Sequence, residues 1–264
     1  MKIRTLFTEN RPLFIPFIMA GHPTLDATAN AILGLSECGA DMIELGVPFS
    51  DPIADGPINQ QAAEIALQNG VTLAWCLSVV NTVKQSGCKT PIILFSYFNP
   101  ILHMGIEHFI QKASQVGVDG VLIVDLPIEE SLAFRMALAS SSIEMVILAS
   151  PTTHPERLKN IQKINPAFVY YISRLGVTGV QQDLTKNLQQ AVCALKQVMP
   201  LPICVGFGIS KSDQAKQVAT FSDGVIVGSS LVKTLQNTYA DLGLHPFLTL
   251  AKQFAETIHH ARLL

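Results

Sequence analysis

The sequence is poor in charge and has no long apolar stretch. Charged residues make up 14% of its 264 residues, with 18 basic against 20 acidic side chains, and no basic block stands out. Nucleic-acid binding needs a concentrated positive face, so this balance argues against a nucleic-acid partner. No uninterrupted apolar stretch approaches the roughly 18–20 residues of a membrane span, so we expect no membrane association.

Cysteine usage excludes two further classes of protein. There are five cysteines, an odd number, and no Cys-x-x-Cys pair occurs. The pattern argues against a disulfide framework and a zinc site, and it favours a reducing compartment, from which we predict a cytoplasmic location. The seven histidines show no metal-ligand spacing, so no metal site is predicted.

Hydrophobic residues reach 48% of the chain and are concentrated in short runs. There are eight such runs, and nearly all are apolar on consecutive positions, which is typical of parallel strands covered by helices on both faces. These predicted strands are Phe14–Ala20, Met42–Val47, Ile92–Tyr97, Gly120–Leu126, Glu144–Ser150, Phe168–Ser173, Ile203–Gly208 and Val225–Gly228.

Amphipathic segments that end at Gly or Pro lie between these runs and predict helices. They are Leu25–Glu37, Ile106–Val116, Glu130–Ser140, Pro155–Ile164, Leu184–Val198, Asp213–Ala219 and Phe247–Arg262. Asn59–Gly87 is expected to hold a short added helix before a regular one, and Thr234–Pro246 is a second addition. Eight strand–helix units predict an α/β fold, a (β/α)8 TIM barrel in one domain over residues 1–264, with short additions at the N-terminus and in the βα loops. An open doubly wound sheet is the alternative architecture.

One carboxylate interrupts the second predicted strand. Glu44 lies between Ile43 and Leu45, where an ionised side chain is costly unless it is paired or neutral. Burial would raise its pKa towards neutrality, which suits a general acid–base, whereas a structural Glu bonded to an amide or an Arg is the alternative. The following loop carries Asp51 and Asp55, which ordinary turn chemistry would also explain.

Glycines follow the sixth, seventh and eighth predicted strands. They let backbone amides approach a ligand, and the last two loops run into helix N-termini, which favour anions. In barrels these two loops are the usual phosphate site, so we predict that a phosphorylated molecule binds there. Asp125, at the end of the fourth predicted strand, has either a structural or a functional role.

Six motifs in this order resemble the tryptophan synthase alpha chain family, from about Leu6 to the C-terminus. They are Glu44–Pro57, Phe95–Leu102, Asp125–Glu130, Ser173–Gly179, Gly206–Ser210 and Gly228–Ser229. The resemblance implies a lyase of tryptophan biosynthesis that cleaves indole-3-glycerol phosphate to indole and glyceraldehyde 3-phosphate. It also implies an αββα heterotetramer with a beta chain that uses pyridoxal phosphate, and no cofactor or metal in this chain.

The resemblance also implies roles for individual residues. Glu44 would move protons as the catalytic acid–base, and Asp55 would stabilise positive charge on the indole nitrogen. Implied substrate-binding residues are Phe17, Asn59, Phe95, Leu122, Tyr170, Thr178, Gly179, Gly206, Phe207, Gly208, Gly228 and Ser229. Implied contacts to the beta chain are Phe49, Ser50, Asp51, Pro52, Asp125 and Pro127.

Three positions depart from the family pattern. His22 stands where the family usually has Asp, Asn59 where it has an apolar residue that borders indole, and Leu175 where it has a small one. These departures motivate an alternative, a weakly active or inactive subunit that mainly activates the beta chain. A different phosphosugar-binding barrel is a third hypothesis, and the lack of a lysine at a strand end argues against Schiff-base aldolase chemistry.

Overall fold

The computed structural model describes residues 3–9, 11–172, 181–206 and 208–261. Each strand runs parallel to the next and the eighth pairs with the first, so the sheet is a closed barrel. The strands are β1 Leu13–Met19, β2 Ile43–Gly46, β3 Ile92–Ser96, β4 Gly120–Ile123, β5 Glu144–Ala149, β6 Val169–Ile172, β7 Ile203–Gly206 and β8 Gly224–Val227. The predicted (β/α)8 TIM barrel is therefore confirmed, and the alternative of an open sheet is wrong.

The described helices cover the outside of this barrel. They are α1 Leu25–Glu37, α2 Pro57–Gln68, α3 Leu73–Gln85, α4 Phe98–Met104, α5 Ile106–Val116, α6 Leu132–Leu138, α7 Pro155–Ile164, α8 Gln181–Val198, α9 Ser212–Ala219, α10 Ser229–Leu242 and α11 His245–His259. Local signals set several ends: Thr24 and Thr72 cap α1 and α3 through their hydroxyls, and α5 ends at the left-handed Gly117.

Two of the helices are additions to the regular pattern, as predicted. α3 packs between α1 and α5, and α11 packs against α9 and α1, so these two belong to the outer ring. α2 and α10 instead contact each other and β1. α10 begins at Ser229, directly after β8, so the second addition is longer than the predicted Thr234–Pro246. α4 was not predicted.

Side chains of each strand point alternately into the barrel and out to the helices. In the β2 region, Ile43 and Leu45 pack in the outer core, whereas Met42 packs inside the barrel. Glu44 is two residues beyond Met42, so its side chain also points inwards, nearer the carboxyl end of the strand. The apolar neighbours of Glu44 thus fix which way its carboxyl faces.

The amino-terminal end of the barrel interior is covered by a 3-10 helix, Ile3–Thr8. Ile3 and Leu6 are buried among interior side chains, and the ring of Phe7 lies 5.8 Å from that of Phe168. Substrate access is therefore expected at the carboxyl ends of the strands, which we call the mouth.

Among the described residues, no single helix is long and apolar enough to cross a membrane. α2 and α3 together have the length and composition of a membrane span, but the chain bends by 92° between these two helices.

Candidate active site

A cavity of about 260 Å³ lies at the mouth. Its wall is mainly apolar and comes from strand ends, from the loop before α2, and from the starts of α2 and α10. The lining residues are Phe17, Ala54, Asp55, Gly56, Pro57, Ile58, Asn59, Phe95, Val124, Leu148, Tyr170, Ile172, Gly208, Ile209, Ile226, Gly228 and Ser229. A concave, mainly apolar pocket with a few polar groups is the form expected of a small-molecule site.

Glu44 is enclosed in the barrel interior beside this cavity. Its exposed fraction is 0%, and neither carboxyl oxygen has a hydrogen-bond partner among the described residues. Its strand neighbour Phe17 lines the cavity, and the charge of Glu44 acts on Tyr170, which also lines it. Burial raises the pKa of Glu44 to about 8, so the carboxyl group is mostly protonated at neutral pH. The structural alternative, a Glu held by an amide or an Arg, is not what the described residues show.

Asp55 is the second carboxylate of the site. Its Oδ2 accepts a hydrogen bond of 2.9 Å from Tyr97 Oη, which in turn accepts one of 2.9 Å from the backbone amide of Ala54. Burial raises the pKa of Asp55, and the hydrogen bond from Tyr97 opposes that rise. Tyr97 remains a neutral donor, because burial and the charge of Asp55 raise its own pKa. Asp55 is thus held in place by Tyr97, with no cation beside it among the described residues.

Tyr97 was missed by sequence reasoning, although it stands inside one of the family motifs. Its ring also lies 5.0 Å from the ring of Phe49, which belongs to the loop that carries Asp55. The available signal was its position, directly after β3, the strand that pairs with the Glu44 strand.

The cavity ends at a group of turns and helix N-termini suited to an anion. Gly208 has a φ of +81°, a conformation that glycine adopts without strain. Gly228 and Ser229 stand at the start of α10, where free amides and the helix dipole favour negative charge. The hydroxyl of Ser230 is buried and has no partner in the part of the chain described.

Aromatic side chains form much of the remaining wall. The rings of Phe17 and Phe95 meet edge to face with centroids 5.2 Å apart, and Tyr170 is buried nearby. Leu122 packs deeper in the barrel interior and does not line the cavity, whereas Val124, two residues further along, does. The role of Leu122 in substrate binding stays a prediction. Gly206 is likewise not on the wall. Thr178, Gly179 and Phe207, together with Leu175, lie outside the described residues.

Sequence reasoning missed several apolar wall residues. Val124, Leu148, Ile172 and Ile226 all point inwards at the mouth. Their positions could have been found by continuing the inward alternation of each strand to its end, as for Glu44.

The residues predicted to contact a partner lie beside the cavity. Ser50, Asp51, Asp125 and Pro127 are exposed, and Phe49 and Pro52 are partly buried. Asp125 has a structural role, because its Oδ1 accepts a 2.7 Å hydrogen bond from the amide of Phe98 at the start of α4.

His22 does not line the cavity. Its side chain is 1% exposed, lies near Gln236 of α10, and has no hydrogen-bond partner within 3.5 Å among the described residues. Burial lowers the pKa of His22 to about 4, so the imidazole is neutral at physiological pH. No group of three or more His, Cys, Asp or Glu in the described ranges could hold a metal ion.

Comparisons with known proteins identify the family of this chain. Residues 3–258 match the family model described as tryptophan synthase alpha chain. The tryptophan synthase alpha chain of Synechocystis is 44% identical over 245 residues, 92% of each chain, and that of Geobacter sulfurreducens is 45% identical over 236 residues, 89% of each. The crystal structure of the alpha subunit from Legionella pneumophila superposes with a TM-score of 0.90 at 33% identity, covering 98% of both chains. The chain therefore belongs to the tryptophan synthase alpha chain family, the lyases of tryptophan biosynthesis that its motifs predicted.

Proposed function

We propose that this chain cleaves indole-3-glycerol phosphate to indole and glyceraldehyde 3-phosphate, with Glu44 as the proton-transfer group. The observation that carries the proposal is a fully buried carboxyl of raised pKa, unpaired among the described residues, beside an apolar cavity that ends in turns suited to an anion. A flat apolar wall fits the indole ring, and the turns fit the phosphate.

Glu44 acts first as an acid. Because the pKa of Glu44 is raised to about 8, its carboxyl carries the proton that indole C3 requires. The resulting carboxylate then takes the proton of the hydroxyl on the glycerol carbon attached to C3. That carbon becomes the aldehyde, the bond to C3 breaks, and its electron pair restores the neutral indole ring. The proton of Glu44 is thereby returned, and no co-reactant is needed.

Asp55 stabilises the intermediate of this reaction. Protonation at C3 places positive charge on the ring nitrogen, and Asp55 lines the cavity without a counter-cation among the described residues. A preorganised charge in an enclosed site is commonly worth about 2.7–4 kcal/mol in the transition state.

The phosphate binds at Gly208, Gly228 and Ser229. All three line the cavity, and the amides of α10 are free at its N-terminus. We also propose that Thr178, Gly179 and Phe207 bind the substrate, as the sequence predicted. These three residues lie outside the described ranges.

Members of this family normally work with a beta chain, and we propose an αββα heterotetramer for this protein. The loop from Phe49 to Pro52, with Asp125 and Pro127, would face the partner, and Ile53 beside them is 87% exposed. A mixture with a beta chain should sediment as one complex of both chains, and separate sedimentation would contradict the assembly. The five free cysteines support a cytoplasmic location, which cell fractionation tests.

The regulatory alternative loses part of its motivation. His22 lies away from the cavity wall, although Asn59 does line the cavity. A lyase assay on the purified chain, with and without a beta chain, separates the two functions. Indole release supports the lyase, whereas no release under either condition, with beta-chain stimulation intact, supports the regulatory subunit.

A further inference from the structure

The second strand has a position without a side chain at the mouth of the barrel. Gly46 ends β2, two residues beyond Glu44, so by the alternation of the strand it also faces into the barrel. Its strand neighbour Phe95 lines the cavity, whereas Gly46 does not belong to the wall in the part of the chain described. The space inside the barrel at Gly46 is therefore filled by another side chain.

The ring of Phe17 fills this space. A Cβ atom at position 46 would lie 2.6 Å from Cζ and 2.9 Å from Cε2 of Phe17, and 3.2 Å from Sδ of Met19. Carbon atoms in contact pack at about 3.5–4.0 Å, so any residue with a Cβ at position 46 would collide with the tip of the ring. Because Phe17 itself lines the cavity, its ring separates Gly46 from the cavity.

Two further contacts hold the Phe17 side chain. Its ring meets that of Phe95 edge to face, with centroids 5.2 Å apart. Gly228 lies beside the root of the side chain, since a Cβ there would be 3.4 Å from Cβ and 3.5 Å from Cδ1 of Phe17, which is ordinary contact. A methyl group on Gly46 would point into the barrel, so it would push the ring tip towards the barrel axis and into the cavity.

We propose that Gly46 is a positioning residue that sets how far the Phe17 ring reaches into the cavity, and thereby the size of the ring system that the site accepts. With glycine at position 46, the ring tip lies against the backbone of β2 and leaves the cavity free for a bicyclic aromatic group. A side chain at this position would take that room from the ligand without touching Asp55. The proposal rests on the proposed function, because the ligand whose size it limits is the indole ring.

The first test locates the Phe17 ring and needs no activity. In a crystal structure of Gly46→Ala, the ring tip should lie roughly 1 Å further into the cavity than in the wild type, since contact requires about 3.5 Å. Gly120→Ala is the matched control: a Cβ at this glycine would lie 2.6 Å from Cδ1 of Ile3, in the interior at the amino-terminal end of the barrel. It should leave Phe17 in place. An unmoved ring in Gly46→Ala would overturn the proposal, whether or not the chain proves to be a lyase.

The second test measures the effect on binding, by calorimetric titration with a non-cleavable indole that carries a three-carbon phosphate chain at C3. Gly46→Ala should raise the Kd of this analogue and the KM of the substrate by roughly tenfold, with a much smaller change in kcat. Gly120→Ala should leave all three values unchanged. In a Phe17→Leu background, Gly46→Ala should raise the Kd by less than about twofold, because leucine leaves space for the methyl group. An equal rise in both backgrounds would show that Gly46 does not act through Phe17.

The double variant also decides the question if Gly46→Ala alone does not fold. Gly46→Ala combined with Phe17→Leu should then fold with a melting temperature close to that of Phe17→Leu, since the methyl group no longer meets a ring. Failure of the double variant to fold would overturn the proposal. Failure of the wild-type chain to bind the analogue would count against the lyase, and the position of the Phe17 ring in the two crystal structures would still decide the role of Gly46.

Discussion

The two ends of the barrel treat carboxylates in opposite ways. At the amino-terminal end, Asp41, Asp119 and Asp223 each accept a hydrogen bond from the amide of the neighbouring strand, at Phe14, Ile92 and Ile203. Each also meets a cation: Arg11, Lys84 and Lys196 lie 2.7–2.8 Å from them. At the mouth, Glu44 and Asp55 have no cationic partner in the part of the chain described.

This difference separates stability from chemistry within one fold. A carboxylate between a strand amide and a cation fixes the neighbouring strand, and its charge is balanced within the fold. A carboxyl buried without partners costs free energy and gains a raised pKa, which is useful only if it acts on a bound molecule. In (β/α)8 barrels, residues at the amino-terminal end are expected to serve stability and residues at the mouth to serve catalysis.

The largest expected effect comes from Glu44. Glu44→Gln keeps the shape and removes the transferable proton, so indole release should fall by roughly 10³–10⁴-fold. The assay is colorimetric detection of indole, with circular dichroism as the control for folding. Because a neutral amide replaces a carboxyl that is mostly neutral at pH 7, thermal stability should not fall.

The pH dependence of the wild type gives a check on the same residue. With the pKa of Glu44 near 8, the acid form is lost above that pH, so kcat/KM should drop about tenfold per pH unit there. Two results would contradict the role of Glu44 as the acid. One is indole release by Glu44→Gln at a rate near that of the wild type, and the other is a wild-type kcat/KM that stays level up to pH 9.5.

Asp55→Asn should produce the next largest loss. The substitution keeps the hydrogen-bonding shape beside Tyr97 but removes the negative charge that faces the ring nitrogen. We expect a roughly 10²–10³-fold lower kcat, in line with the loss of one preorganised charge. Tyr97→Phe is the matched comparison, since it leaves the charge and removes one donor, and it should cost much less. Equal losses in the two variants would mean that the charge of Asp55 is not what matters.

A change at the amino-terminal end should act on stability instead of rate. Burial disfavours the charge of Asp41, but bonds from His259, Arg11 and the Phe14 amide outweigh it and lower its pKa. Asp41→Asn breaks this network and should reduce the free energy of unfolding by about 3 kcal/mol, measured by urea titration. At a temperature where the variant is folded, kcat/KM should stay close to wild type. A large loss of rate in the folded variant would break the distinction between the two ends.

Sequence reasoning found the strands because nearly all are apolar on consecutive positions. It found Glu44 because an ionisable residue inside such a run is costly unless it is paired or neutral. Leu122 and Val124 both face inwards, since they are two residues apart, but only Val124 lies far enough towards the mouth to line the cavity. How far the cavity reaches into the barrel depends on three-dimensional geometry, which the alternation along one strand does not give.

Long-range partners were the other source of error. α4 begins with its amide bonded to Asp125, a residue from the next βα loop, so no local cap signalled the helix. Asp41, Asp119 and Asp223 resemble ordinary turn residues, and their cations lie 27–35 residues away along the chain. The sequence likewise showed Asn59 as a departure, and its place on the cavity wall with Asp55 became evident only in the fold.

The smallest expected effect concerns His22. It tests whether burial without a counter-charge shifts the pKa of His22 as it shifts that of Glu44. This imidazole follows β1 and, like Glu44, is buried without a counter-charge among the described residues. Its pKa is about 4 in the folded chain, below the ordinary value of 6.5, so the unfolded chain binds more protons between these limits. The contribution of His22 to stability is thus constant above pH 6.5 and declines as the pH falls towards 4, by about 1–2 kcal/mol at pH 5. Urea unfolding at pH 7 and pH 5 should show a smaller decline for His22→Gln, which cannot be protonated, and equal declines in both proteins would mean that His22 gains a proton freely in the folded state.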